Sequence, residues 1–152
     1  MDSKITKKED GGLITNDVMV LANDKTMFTS LNLDDKDSKI KLYNSLQKCD
    51  VRINDIVGQE IEFSDIFIEE KPFAEIDEKT GEVIKETRKF RTILYGTNDV
   101  TYVSSAYGVY NSLKNIVSIF GLPTKTEPIK VIVNKRPTNN GRETLILVVQ
   151  NA

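Results

Sequence analysis

The 152-residue chain carries 21 Lys and Arg against 23 Asp and Glu, a net charge of −2, with 39% hydrophobic and 29% charged residues, the make-up of one soluble globular domain of ordinary size. It has no histidine and a single cysteine, Cys49, which excludes a Ser-His-Asp triad, a Cys-His pair, an internal disulfide and a zinc site built from several Cys or His. No apolar run approaches the roughly 20 residues needed to span a bilayer, and the polar start from Met1 to Asp10 has no apolar signal core, so the expectation is a cytoplasmic protein with no membrane partner.

Residues 1–12 are polar, end in Gly11-Gly12 and read as a disordered tail, leaving 13–152 as a single domain. Leu13 to Ala22 is a first strand, and Met27 to Leu31 is a second short β-like run. Acidic residues from Asp34 to Asp37 suit the positive end of a helix. Ile40, Tyr43 and Leu46 then recur at helical spacing, with Lys39, Lys41, Gln47 and Lys48 outside, predicting a helix over 36–47. From Val51 the period changes. Glu60 to Glu70 alternates and then slips, which predicts a long strand with a bulge near Asp65-Ile66. Asp77 to Glu82 turns, Val83 to Tyr95 returns as a strand rich in β-branched and aromatic residues, and Gly96 to Asp99 turns again into Val100–Val103. Three consecutive strands joined by polar turns predict an antiparallel meander.

Ser104 or Ser105 is the expected cap of a second helix. Its apolar positions are Ala106, Val109, Tyr110, Leu113, Ile116, Val117 and Phe120, the strongest amphipathic pattern in the chain, with Tyr107 off the stripe. Gly121 ends this helix and Pro123 confirms the stop. A strand over 128–133, a loop over 134–142 and an apolar strand over 144–149 close the chain. So apolar a last strand is expected to be central or part of a closed sheet, because an exposed edge aggregates. The order β-β-α-β-β-β-α-β-β predicts a mainly β fold: an OB-like curved sheet or small barrel with one long amphipathic helix and a shorter N-terminal one.

Charge is unevenly spread. Residues 1–84 hold 11 cations and 19 acids, a balance of −8, and residues 85–152 hold 10 and 4, a balance of +6. One face can therefore attract a polyanion while another repels it. Sequence-tolerant binding of single strands needs cations for phosphates and aromatic faces for bases. The strand from Lys85 to Tyr95 supplies both. At period 2, Lys89, Arg91 and Tyr95 share one face and Arg88 and Phe90 the other, while Tyr102 follows on the next strand. Lys130, Lys135, Arg136 and Arg142 add charge on the last hairpin. The expected nucleic-acid contacts are Arg88, Lys89, Arg91, Lys130, Lys135, Arg136 and Arg142 to phosphates, with Tyr95 and Tyr102 stacking bases. The alternative for both tyrosines is a framework role in the sheet. Glu60, Glu62, Asp65, Glu69 and Glu70 can in principle hold magnesium, but carboxylates alternating along a strand more often form a solvated face. No P-loop and no G-x-G-x-x-G is present, so no cofactor is indicated.

The layout resembles the single-stranded DNA-binding proteins of small Gram-positive bacteriophages and mobile elements. The resemblance lies in Phe28-Thr29-Ser30-Leu31 before a Lys-rich helix, Asp55-Ile56-Val57-Gly58 before a long strand, Phe90 to Leu94, Tyr102 to Ser105, the helix through Ile119-Phe120-Gly121 and a closing hairpin. It implies an OB-like barrel whose sheet face and loops touch DNA, a role in replication or recombination, and no enzymatic activity. Single-stranded DNA is the expected partner, with replication proteins and further copies of the chain beside it. Many such proteins end in an acidic tail that recruits partners. This chain ends Val149-Gln-Asn-Ala152, so the resemblance carries no such recruitment over to it. Two rivals remain: a phage-encoded inhibitor or accessory factor that presents the acidic half to a protein, and a magnesium nuclease.

Overall fold

A computed structural model of the chain describes residues 18–21 and 25–150; the tail expected over 1–12, and residues 13–17 and 22 of the expected first strand, lie outside the described residues. The elements are β1 (Val18–Leu21), β2 (Lys25–Thr29), α1 (Lys36–Gln47), β3 (Val51–Arg52), β4 (Glu60–Ile76), β5 (Val83–Gly96), β6 (Thr101–Ser104), α2 (Tyr107–Phe120), β7 (Ile129–Pro137) and β8 (Glu143–Val149), with a 3₁₀ turn at Ile53–Asp55. The sheet runs β1-β2-β4-β5-β6-β3, and β7 pairs with both β4 and β8. The fold class is the expected one, mainly β and OB-like with two helices. The short β3, absent from the expected order, lies parallel to β6 through Val51–Tyr102 and Arg52–Val103.

The chain divides into two compact units. The first comprises residues 1–28 and 69–90, so its described part is β1, most of β2, and the far halves of β4 and β5 with their turn. In that turn Gly81 has φ +75°, and its N–H donates to the Asp77 carbonyl (2.8 Å). The second unit, residues 29–68 and 91–152, holds both helices and a core in which Ile53, Phe63, Ile93, Leu94, Val109, Leu113, Val131 and Val133 are fully buried. Where the burial rhythm of β4 slips, the last residue of β2 and the one just past it bond to Ile66. Ile66 N–H donates to Ser30 Oγ (2.9 Å), and its carbonyl accepts from Ser30 N–H (3.1 Å) and Thr29 Oγ1 (2.8 Å).

The bounds of α1 are those expected. Asp35 caps it, accepting from Ser38 N–H (3.2 Å) and Ser38 Oγ (3.1 Å). The buried face is not the expected one: Leu42 and Ser45 point inward, whereas Ile40 and Tyr43 are 48% and 63% exposed. Polar anchors in the sheet beneath, given below, decide the rotation of the helix. At the start of α2, Ala106 is the cap residue and has no side-chain bond of its own; its N–H donates to Ser104 Oγ (3.0 Å). Val109, Tyr110, Leu113 and Ile116 are buried as expected, but Phe120 is 60% exposed.

The closing hairpin departs from expectation twice. Asn134 to Pro137 belong to β7, paired from Asn134–Ile146 to Pro137–Glu143, which shortens the expected nine-residue loop to 138–142. Among the described residues β8 is neither central nor closed into a barrel: it pairs there only with β7. Its other edge is covered by α2, where Leu147 N–H donates to Ser112 Oγ (3.2 Å). Covering an edge with a helix is a standard protection against strand-to-strand aggregation. Gly108 permits the approach, because a β-carbon there would overlap the Leu145 carbonyl oxygen and Thr144 Oγ1. Gly108→Ala is therefore expected to cost about 1–3 kcal/mol, as overpacking does, read as a lowered midpoint in urea or thermal unfolding. An unchanged midpoint would show that α2 does not sit this tightly on β8.

Candidate nucleic-acid interface

In the first unit, Lys89 and Arg88 lie on β5, and both are exposed. The Arg88 guanidinium pairs with Glu70 on β4 (Nε to Oε2, 2.5 Å). A surface pair of this kind contributes about 0–1 kcal/mol, so it does not by itself keep Arg88 from a phosphate. Glu69, expected on a solvated acidic face, is only 3% exposed.

In the second unit, β5 turns its cation and its tyrosine inward. Arg91 is half-buried, its Nη1 donates to the Leu46 carbonyl (3.2 Å), and its guanidinium lies 5.9 Å from the Phe67 ring centroid. A cation at the last turn of a helix opposes the negative end of its dipole. α1 has no basic residue in its last turn, so Arg91 supplies that charge from the strand beneath. Tyr95 is 1% exposed and Tyr102 8%. The Tyr95 hydroxyl meets Ser45 Oγ at 2.6 Å, Lys41 Nζ sits 5.3 Å from its ring centroid, and the Tyr102 hydroxyl accepts from Asn98 Nδ2 (3.2 Å). Rings so covered present little face to solvent, which fits the framework alternative for both tyrosines. Burial, the largest cause, pushes the Tyr95 phenol up to about 12.

The hairpin cations divide between two faces. Neighbours on a strand point oppositely, so Lys130 and Arg136 share one face of β7 while Lys135 takes the other. Lys130 lies 3.9 Å from Glu60 and Lys135 3.9 Å from Glu143. Arg136 and Arg142 are exposed, and no ion pair holds either among the described residues. Within this unit the hairpin cations therefore do not share one face.

Several carboxylates offered for magnesium have structural partners. Glu60 faces Lys130, Glu62 accepts from Thr97 Oγ1 (2.8 Å), and Asp65 accepts from Ser30 Oγ (3.1 Å). Among the described residues no three His, Cys, Asp or Glu side chains converge on one point. The Cys49 thiol donates to the Ser45 carbonyl (3.2 Å), and burial raises its pKa, which disfavours the nucleophilic thiolate. No helix of the described residues is long and apolar enough to cross a membrane.

Comparison with known families decides the class. The family model described as phage single-stranded DNA-binding protein matches residues 21–150, most of the chain. The chain belongs to this family. Searches of curated proteins and of solved structures return no match. Binding of single strands draws on exposed rings as well as cations, and exposed rings are found on the two helices. Tyr43 on α1 is 63% exposed, Tyr107 at the start of α2 58%, and Phe120 at its end 60%. The sequence signal for Tyr107 was its place off the apolar stripe. Tyr43 and Phe120 gave none, since both fall on apolar helical spacings.

Tyr95→Phe tests the framework role. It removes the bond to Ser45 and is expected to cost about 1 kcal/mol while leaving oligonucleotide affinity unchanged. The pH dependence has a definite sign. Between the ordinary phenol value near 10 and the folded value of about 12, the unfolded chain releases the Tyr95 proton and the folded chain keeps it, so stability falls as pH rises through that window. Unfolding titrations of wild type and Tyr95→Phe should differ in slope there. Parallel curves, or a loss of DNA affinity in the variant, would contradict the assignment.

Proposed function

We propose that this phage single-stranded DNA-binding protein coats exposed single strands during phage or mobile-element DNA replication or recombination, in the host cytoplasm, largely without regard to sequence and without catalysis. One observation carries the reading: on a chain of this family, the β7–β8 end presents Lys135, Arg136 and Arg142 to solvent. Exposed cations of this kind bind phosphates and carry no base information, which suits a protein that must cover any sequence. Lys89, Arg88 and Lys130 are further phosphate contacts in this reading. Replication proteins and further copies of the chain are its natural partners on a coated strand.

A fluorescent oligo(dT) titration tests it. Binding is expected to weaken steeply with added salt, because each phosphate contact releases counterions, with a slope of about −0.7 per contact for single strands. The double reversal Lys135→Glu and Arg142→Glu should weaken binding at least about tenfold at low salt and flatten the salt slope. Absence of binding by wild type at low salt would overturn the proposal in favour of an acidic inhibitor, and magnesium-dependent cleavage of the oligonucleotide would overturn its non-catalytic part.

A further inference from the structure

We propose that the cleft between α2 and β8 holds bases of the bound strand, with Tyr107 and Phe120 as stacking faces and Arg136 on a phosphate. The proposal rests on the single-stranded DNA reading above and names the part of the surface that touches bases, a part for which Tyr95 and Tyr102 are too deeply buried.

The cleft has a volume of about 490 Å³ and lies wholly within the second unit. Its helical wall is built from two neighbouring i, i+4 ridges of α2. One ridge runs from Tyr107 through Asn111 and Asn115 to Ile119; the other runs from Gly108 through Ser112 to Phe120. At 1.5 Å per residue, Tyr107 and Ile119 are about 18 Å apart along the axis, so this is an elongated groove. The opposite wall is the hairpin, where Arg136 stands directly across from Thr144 in the β7–β8 register and Ile146 follows on the same face.

Three properties of this groove suit a nucleic-acid strand. No acidic side chain lines it, in a chain that carries 23 of them, so a strand seated there meets no carboxylate in its walls. Arg136 is exposed and held by no ion pair among the described residues. The rings are presented at opposite ends of the helical wall, each more than half exposed. Between them the amides of Asn111 and Asn115 bring both a donor and an acceptor, which lets them meet the edge of any base. A purely hydrophobic partner would leave these amides and the guanidinium unpaired, at a cost of about 1–3 kcal/mol for each group desolvated. These polar groups, set among the apolar side chains of the two walls, therefore argue for a strand over an apolar helix.

The chain has no tryptophan, so Tyr107→Trp and Phe120→Trp each create a lone reporter in the groove. The expected result is strong quenching of both indoles as oligo(dT) is added, at the same midpoint as an anisotropy titration of labelled oligo(dT). Tyr107→Ala and Phe120→Ala should each weaken oligo(dT) binding about tenfold with an unchanged melting temperature, since both rings are exposed. Tyr107→Phe should bind like wild type, because the face and not the hydroxyl is used. Arg136→Gln should reduce the salt slope by about 0.7. If wild type binds oligo(dT) but neither indole responds and both alanine variants bind normally, the cleft is not the base site, whatever the rest of the surface does. Concentration-dependent self-association that disappears in Phe120→Ala, with DNA affinity unaltered, would also overturn it by assigning the groove to a second copy. Failure of the wild-type chain to bind oligo(dT) at all is a different result, which removes the single-strand reading itself.

Discussion

The close seat of α2 against the edge of β8 is the constraint from which most of the second unit follows. Gly108 has no side chain, so the helix backbone comes to rest on the Leu145 carbonyl. That proximity lets Ser112 accept from Leu147 N–H, satisfying an edge group that β7 cannot reach. It also aims Val109, Leu113 and Ile116 into the core, and burying side chains of this size stabilises by about 1.5–3 kcal/mol each. A helix fixed so close along one line must diverge from the sheet on either side of it. The cleft along Tyr107, Asn111 and Asn115 is the consequence on the solvent side, so the feature that protects the edge also shapes the groove.

A second anchor orders α1 in the same way. The sheet offers it polar partners as well as an apolar surface: the Tyr95 hydroxyl for Ser45 and the Arg91 guanidinium for the Leu46 carbonyl. Hydrogen bonds in a buried setting are directional, and leaving such groups unpaired costs about 1–3 kcal/mol each. That is enough to choose one rotation of an amphipathic helix over another whose apolar stripe is only slightly better. The outcome leaves Ile40 and Tyr43 in solvent. Apolar spacing proposes a face for burial, and the polar partners beneath select it.

This explains which parts were legible in the sequence. The bounds of α1 were, because Asp35 and Ser38 cap it within three residues of each other. So were the stop of α2 at Gly121, the adjacency of β4, β5 and β6, and the mainly β class, all of which depend on local periodicity and turn chemistry. The buried face of α1 was not, since its decisive partner, Tyr95, is 50 residues away. The extension of β7 through Pro137 was hidden by polar residues, which a hairpin end tolerates because both its faces are wet. In the candidate site, cation identity was readable but direction was not. Arg91 and Tyr95 share a face by strand period, and nothing local states that this face is roofed by a helix. Phe120 was misread for the complementary reason: it continues the apolar stripe one turn past the place where the sheet stops supporting it.

The acidic balance of the whole chain is compatible with a polyanionic ligand once distance is considered. At physiological salt the Debye length is about 8 Å, so acids farther away than that contribute little to the potential felt in a groove that has none in its walls. The walls of the cleft themselves hold one arginine with no ion pair among the described residues, two amides, two exposed rings, several aliphatic side chains and no carboxylate; the nearest acid along the chain, Glu143, is paired with Lys135. Such a site gains less from long-range attraction than a strongly basic surface does, and so relies more on contact with the bases themselves. Stacking supplies about 1–3 kcal/mol per base whatever its identity. On the proposed base site, a chain of net charge −2 holds single strands through aromatic faces at short range, with its exposed cations setting the salt dependence more than the total affinity.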